Sequence, residues 1–187
     1  PISIAVPAGE GHPFVLDIAT TVTSHGTIKV LAQAGQAMPE GWVIDHEGKP
    51  ILDPNRADEG YLMPIGGYKG SGLNIGLGLL AGVLNGAAFG EEVIDHRKVP
   101  GQAANTGQAM FVMRPDLFSD LEVFRTGIDN HLEALRNAGP PGSVQLPGDV
   151  ASELESELLA EGIPVGDVLL GQLRYLGTRL GLSDRLD

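Results

Sequence analysis

Between Ser71 and Leu84 the chain is apolar on every helical face, yet glycine stands at 72, 76, 78 and 82. A helix of this kind needs cover on all sides, and its glycines let neighbouring backbone approach closely. The run therefore predicts a helix that can be buried on every side, and the 27 Gly and 13 Pro of the chain predict many turns and little coiled coil. It is entered through Pro64-Ile65-Gly66-Gly67-Tyr68-Lys69-Gly70-Ser71-Gly72, where glycines surround a single lysine. Exposed amide donors, the positive helix end and an ammonium group together suit an anion such as a phosphate. A glycine-rich turn into a tightly packed helix is the plainer alternative. The spacing is not that of a Walker A loop, and no G-x-G-x-x-G follows the first strand.

Around this element the chain reads as short strands first and helices afterwards. Ile2–Val6, Phe14–Asp17, Thr27–Leu31 and Trp42–Asp45 have strand character, punctuated by glycine, proline and the turns His46–Lys49 and Asp53–Asn55. Gln108–Met113 returns to strand character. Ser119-Asp120-Leu121-Glu122 has the form of a capping box. From it Leu121, Phe124, Ile128, Leu132 and Leu135 make one apolar stripe, ended by Gly139 and Pro140. Asp149 is placed to cap a helix that stops at Gly162, and a last helix runs from about Asp167 to Leu180. Strands, a glycine helix, one more strand and then helices predict an α+β fold instead of strict βαβ alternation. The expected division is a sheet-containing region over 1–115 and C-terminal helices over 116–187.

The charge balance narrows the partners. Lys plus Arg is 12 against 24 for Asp plus Glu, a formal −12, and such a surface repels phosphate backbones, so nucleic acid is not expected. No apolar run reaches the length of a bilayer span, so no membrane partner is expected either. Cysteine is absent, which removes disulfides, thiolate zinc sites and cysteine nucleophiles together. With no signal peptide in view, the expected location is cytoplasmic. The chain opens with Pro1, as a piece of a longer polypeptide would.

Asp17 ends an otherwise apolar strand, and an unpaired carboxylate there would be costly to bury. It can cap the following turn, accept a proton from a histidine or hold a ribose hydroxyl; the first is the commonest use of Asp. None of the five histidines has metal-ligand spacing, and His25, His46 and His131 fall in turns or beside the helical stripe. Asp95-His96-Arg97-Lys98 reads as a solvated charge cluster. There is no G-x-S-x-G elbow.

Taken in order, several segments resemble the malate/L-lactate dehydrogenase family of NAD(P)-dependent oxidoreductases, which is distinct from the Rossmann-type lactate dehydrogenases. They are Phe14-Val15-Leu16-Asp17-Ile18-Ala19-Thr20-Thr21, Gly26-Thr27-Ile28, Met38-Pro39-Glu40-Gly41-Trp42, and Leu62 through Leu73 with its G-G-x-K-G-x-G-L-like core. Leu80–Leu84 and Gly107-Gln108 follow collinearly. Tyr68 and Ser71 depart from the residues most frequent there. The resemblance covers the C-terminal part of a family member, without the half that carries a Ser-His pair and a substrate-binding arginine. It implies a non-Rossmann mixed or antiparallel sheet layered with helices, a homodimer, and NAD or NADP as cofactor. It also implies hydride transfer to or from a small 2-oxo or 2-hydroxy acid, or a cyclic imino acid. On this resemblance Asp17, Ile18 and Ala19 touch the dinucleotide, and Tyr68 and Lys69 form the lysine loop that contacts it. Gly148 and Asp149 belong to a turn that closes over it. Asp17 takes a second role, orienting the family's catalytic histidine. The chain alone is expected to be inactive, and an incomplete paralogue serving as a dinucleotide-binding or assembly module is the alternative.

Overall fold

A computed structural model of the chain describes residues 1–95 and 99–182. The fold is α+β, with two small antiparallel sheets, helices between and after them, and a C-terminal helix. Strands β1 (Ile2–Val6) and β2 (Phe14–Ile18) pair with each other, as do β3 (Val43–Ile44) and β4 (Tyr61–Leu62). Among the described residues the α-helices are, in order, α1 (His25–Gln33), α2 (Gly67–Ala81), α3 (Leu121–Arg136), α4 (Asp149–Glu161) and α5 (Asp167–Leu180). The chain forms two compact units: Pro1–Ala5 with Val15–Phe124, and Val6–Phe14 with the chain from Arg125 onward. None of the described helices is long and apolar enough to cross a membrane.

The first unit is organised by a small core of Ile28, Met38, Val43, Ile51 and Ala57, with Leu31, Trp42 and Leu62 packed against it. Val43 faces Leu62 and Ile44 faces Tyr61 across the β3–β4 ladder, which fixes the inward side of each short strand. The loop strands close round them: Ile51 N–H donates to the Val43 carbonyl at 3.0 Å and Met63 N–H to the Trp42 carbonyl at 2.9 Å. The intervening turn is held by the Asp45 carboxylate, which accepts from the amides of Glu47 and Lys49. Those bonds, the one from Lys49 above all, hold the Asp45 carboxyl below its ordinary value.

Local chemistry explains where the structure differs from the sequence expectations. Thr27–Leu31 is helical within α1, because Ser24 accepts from the Thr27 amide at 3.0 Å and starts a helix that buries Ile28. That cap outweighs the β preference of the branched residues. At α3 the cap is Asp120, whose carboxylate accepts from the amides of Glu122 and Val123; Ser119 does not fill the role a capping box would give it. At α4 the cap position is Gly148, and Asp149 is the first helical residue. Asp53–Asn55 is the start of a 3-10 turn over Pro54–Glu59 capped by Asp53. Gln108–Met113, expected as a strand, has no regular secondary structure and joins no strand ladder.

The largest correction concerns the glycine helix. It exists, beginning at Gly67 inside the glycine run, but no residue of it is buried, and Leu73, Ile75, Leu79 and Leu80 are exposed. Its length and apolarity follow the sequence. The cover that its composition calls for is absent among the described residues.

Candidate functional site

Two of the sequence-marked segments meet in the first unit. Strand β2 ends at Ile18, leaving Asp17 and Ala19 exposed and Ile18 half-buried. The chain then docks on the entry to α2: the Thr20 carbonyl accepts from the Ile65 amide at 3.1 Å, and the Val22 amide donates to the Met63 carbonyl at 2.9 Å. Thr21 and Pro64 form an antiparallel bridge between these bonds. The buried Thr20 hydroxyl completes the dock by donating to Asn74 Oδ1 at 2.9 Å. A buried hydroxyl needs such a partner, and Asn74 supplies it from two turns inside α2. Asp17-Ile18-Ala19 is thereby carried to the start of α2, where Tyr68 and Lys69 lie.

The helix start is built to leave its donors open. Gly66 (φ 64°) and Gly67 (φ 60°) turn the chain through left-handed conformations, and Gly66 at the cap position has no side chain with which to accept a first-turn amide. No acidic residue occupies the first turn. Lys69 is exposed and has no ion-pair partner among the described residues, and Tyr68 is 83% exposed. Free amides, the positive end of a fifteen-residue helix and an unpaired ammonium give this corner a positive character within a chain of formal charge −12. Gly70 holds the corner together. A Cβ there would overlap the Ile65 carbonyl oxygen and lie 2.7 Å from its carbon, so helix and loop touch backbone to backbone.

Asp17 has no hydrogen-bond or ion-pair partner among the described residues, so its carboxylate does not cap the turn that follows. It is an exposed acceptor beside the dock. An exposed carboxylate can accept from a hydroxyl donor, and the open helix start suits an anion such as a phosphate.

Gly148 and Asp149 lie in the second unit. Gly148 (φ 103°) turns the chain into α4. Asp149 accepts two bonds from Arg136, from Nε at 3.0 Å and Nη2 at 2.7 Å, and a third from the Leu146 amide at 2.9 Å. The Arg136 guanidinium holds the Asp149 carboxyl below its usual value, against a smaller opposing effect of burial, and the pairing raises Arg136 in turn. This carboxylate is the clasp of the Leu146–Asp149 turn.

A second clasp, missed in the sequence, is Asp129 on α3. Its oxygens accept from three consecutive amides, Gly9 at 3.1 Å, Glu10 at 2.9 Å and Gly11 at 3.3 Å. These bonds, led by that from Glu10, keep its carboxyl below the ordinary range. The signal was the Gly9-Glu10-Gly11 run, whose amides can converge on one anion; the anion itself is 118 to 120 residues away. Asn74 was similarly legible only as a polar residue in an apolar helix.

The histidines are dispersed. His12 lies 3.2 Å from the Ser152 hydroxyl, His25 is 3.9 Å from Asp58, His46 meets Tyr61, and His131 contacts the Gly127 carbonyl. His96, Arg97 and Lys98 lie outside the described residues. No cluster of three or more metal-ligating side chains occurs among the described residues.

The family profile described as Malate/L-lactate dehydrogenase matches residues 1–174. The chain is 33% identical over 187 residues to the L-sulfolactate dehydrogenase of Methanothermobacter thermautotrophicus, covering 100% of this chain and 52% of that protein. It is 42% identical over 180 residues to the Delta(1)-pyrroline-2-carboxylate/Delta(1)-piperideine-2-carboxylate reductase of Pseudomonas putida, covering 94% and 51%. The crystal structure of delta1-piperideine-2-carboxylate reductase from Pseudomonas syringae superposes with a TM-score of 0.80 at 32% identity, over 93% of this chain and 52% of that one. The chain thus spans about half the length of the relatives it matches.

Proposed function

The chain belongs to the malate/L-lactate dehydrogenase family, and from that premise we propose that it is the C-terminal, cofactor-contacting portion of an NAD(P)-dependent oxidoreductase. The proposed substrate is a small 2-oxo or 2-hydroxy acid or a cyclic imino acid, the classes to which the names of its relatives point. The observation that carries this reading is the docking of Thr20–Val22, the segment directly after Asp17–Ala19, onto Met63–Ile65 at the entry to the uncapped helix α2 that bears Lys69.

In this reading the first-turn amides of α2 and the Lys69 ammonium hold a phosphate of the dinucleotide, with Tyr68 flanking it. Asp17, Ile18 and Ala19 form the adjoining wall, and Asp17 accepts from a ribose hydroxyl or orients a histidine. In the second unit the Gly148–Asp149 turn is kept in shape by Arg136. The bound nicotinamide would supply or accept a hydride at the 2-carbon of the substrate. The proton donor and the cation that holds the substrate carboxylate are assigned to residues outside these 187, and the functional assembly is a homodimer.

Fluorescence titration of NADH and NADPH into the purified chain tests this. Saturable binding of at least one nucleotide is expected, weakened about tenfold in Lys69→Ala by loss of one charge-assisted contact worth about 1.4 kcal/mol. A panel of 2-oxo acids added to the same samples should give no turnover. Equal affinity in the variant, or no saturable binding in either, contradicts the proposal.

A further inference from the structure

The stretch Ala109-Met110-Phe111-Val112-Met113 is apolar at every position. In an extended chain successive side chains point to opposite faces, so a continuous apolar run belongs to a strand covered on both. Here that run has no regular secondary structure, joins no ladder, and leaves its side chains exposed: Phe111 79%, Met110 87%, Val112 93%. Its beginning is nevertheless fixed. Asn85 Nδ2 donates to the Ala81 carbonyl at the end of α2 and to the Gln108 carbonyl, at 3.0 and 2.8 Å. A Cβ on Gly107 would lie 2.9 Å from the Ala81 carbonyl carbon, so the chain leaves α2 in backbone contact and then runs uncovered. The helix it leaves is uncovered too.

We propose that Met110–Met113 is an inner strand of a sheet completed by the half of a family-length polypeptide that lies outside these 187 residues. The exposed area sets the size of the missing cover. Two separate closed bodies with the sizes of the two units would expose about 10,000 Å² between them. The chain exposes 14122 Å². The excess is about 4,000 Å², more than the roughly 2,500 Å² that one partner contributes even to a large obligate interface, and several times the usual ~800 Å². A second copy pairing edge to edge would satisfy one side of the strand and leave both faces open. A whole layer is required, and the matched relatives have about as much chain again as this one.

The test co-expresses this chain with the unmatched half of the Pseudomonas putida reductase and follows amide hydrogen exchange. The expected result is a one-to-one complex in which the amides of 109–113 exchange at least tenfold more slowly than in the chain alone. Met110→Lys/Val112→Lys, which alters only exposed side chains and should leave the chain's own helical signal unchanged, should abolish the complex. Failure to form a complex overturns the proposal, as does a complex in which those amides exchange as before or one that the lysine variant forms equally well. A chain that by itself is a dimer with 109–113 protected assigns the strand to a second copy instead. None of these readouts involves nucleotide, so the result is separable from the cofactor reading.

Discussion

Replacing Gly70 by alanine should destabilise the protein, although the same change two and six residues further along the same helix should stabilise it. At Gly70 the new Cβ would lie 2.7 Å from the Ile65 carbonyl carbon and 3.5 Å from Ile65 Cγ1. Carbon atoms settle at about 3.5–4.0 Å and the overlapped carbonyl oxygen must clear as well, so the loop must retreat by more than about 1 Å. Ile65 cannot retreat freely, because its amide donates to the Thr20 carbonyl at 3.1 Å, and the same shift would carry that bond out of range. Overpacking costs about 1–3 kcal/mol and the lost bond about 1 kcal/mol, against about 1 kcal/mol returned by the better helix former. The net loss is about 2 kcal/mol. At Gly72 and Gly76 nothing lies within 4 Å of the added methyl, so only the helix preference acts and each variant should gain up to about 1 kcal/mol. Gly70→Ala and Gly76→Ala should therefore differ by about 3 kcal/mol in urea unfolding with unchanged m, or by about 6–12 °C in Tm. A Gly70→Ala protein as stable as its Gly76→Ala sister would refute the backbone contact that shapes the Lys69 corner.

The two carboxylate clasps make further predictions. Asp129 has a folded-state pKa below its unfolded value, so its contribution is complete above the ordinary carboxylate value of 3.8 and is lost as pH falls below it towards the folded value. Asp129→Asn should flatten the acid limb of the stability curve and speed amide exchange at Gly9–Gly11; an unchanged acid limb would show that the clasp is idle. Asp149→Asn and Arg136→Gln should each cost about 1 kcal/mol, and the double variant little more than either alone. Additive losses in that thermodynamic cycle would mean the two residues do not act as a pair.

How much of this was legible in the sequence depends on the range of the interaction that decides each element. Helices α3, α4 and α5 announce themselves through apolar spacing and terminal glycines, such as Gly162 (φ 87°) and Gly181 (φ 69°), all contained within a few turns of chain. Segment Thr27–Leu31 reads as a strand through its β-branched residues, whereas the Ser24 cap and the burial of Ile28 decide for a helix. Lys69 and the glycines around it stood out locally. Their meeting with Asp17–Ala19 rests on backbone bonds between residues more than forty positions apart, which no side-chain pattern encodes. The Asp129 and Asp149 clasps failed to show for a related reason: a carboxylate's partner is set by the fold, and a cap and a cross-chain clasp look alike in sequence.

The corner between β2 and α2 can be examined directly by recording ¹H–¹⁵N spectra of the chain during titration with NADH or NADPH. The account predicts that the largest shifts fall on the amides of Asp17–Ala19 and Gly66–Lys69 and saturate together. Shifts concentrated elsewhere, or an unchanged spectrum at saturating nucleotide, would contradict it.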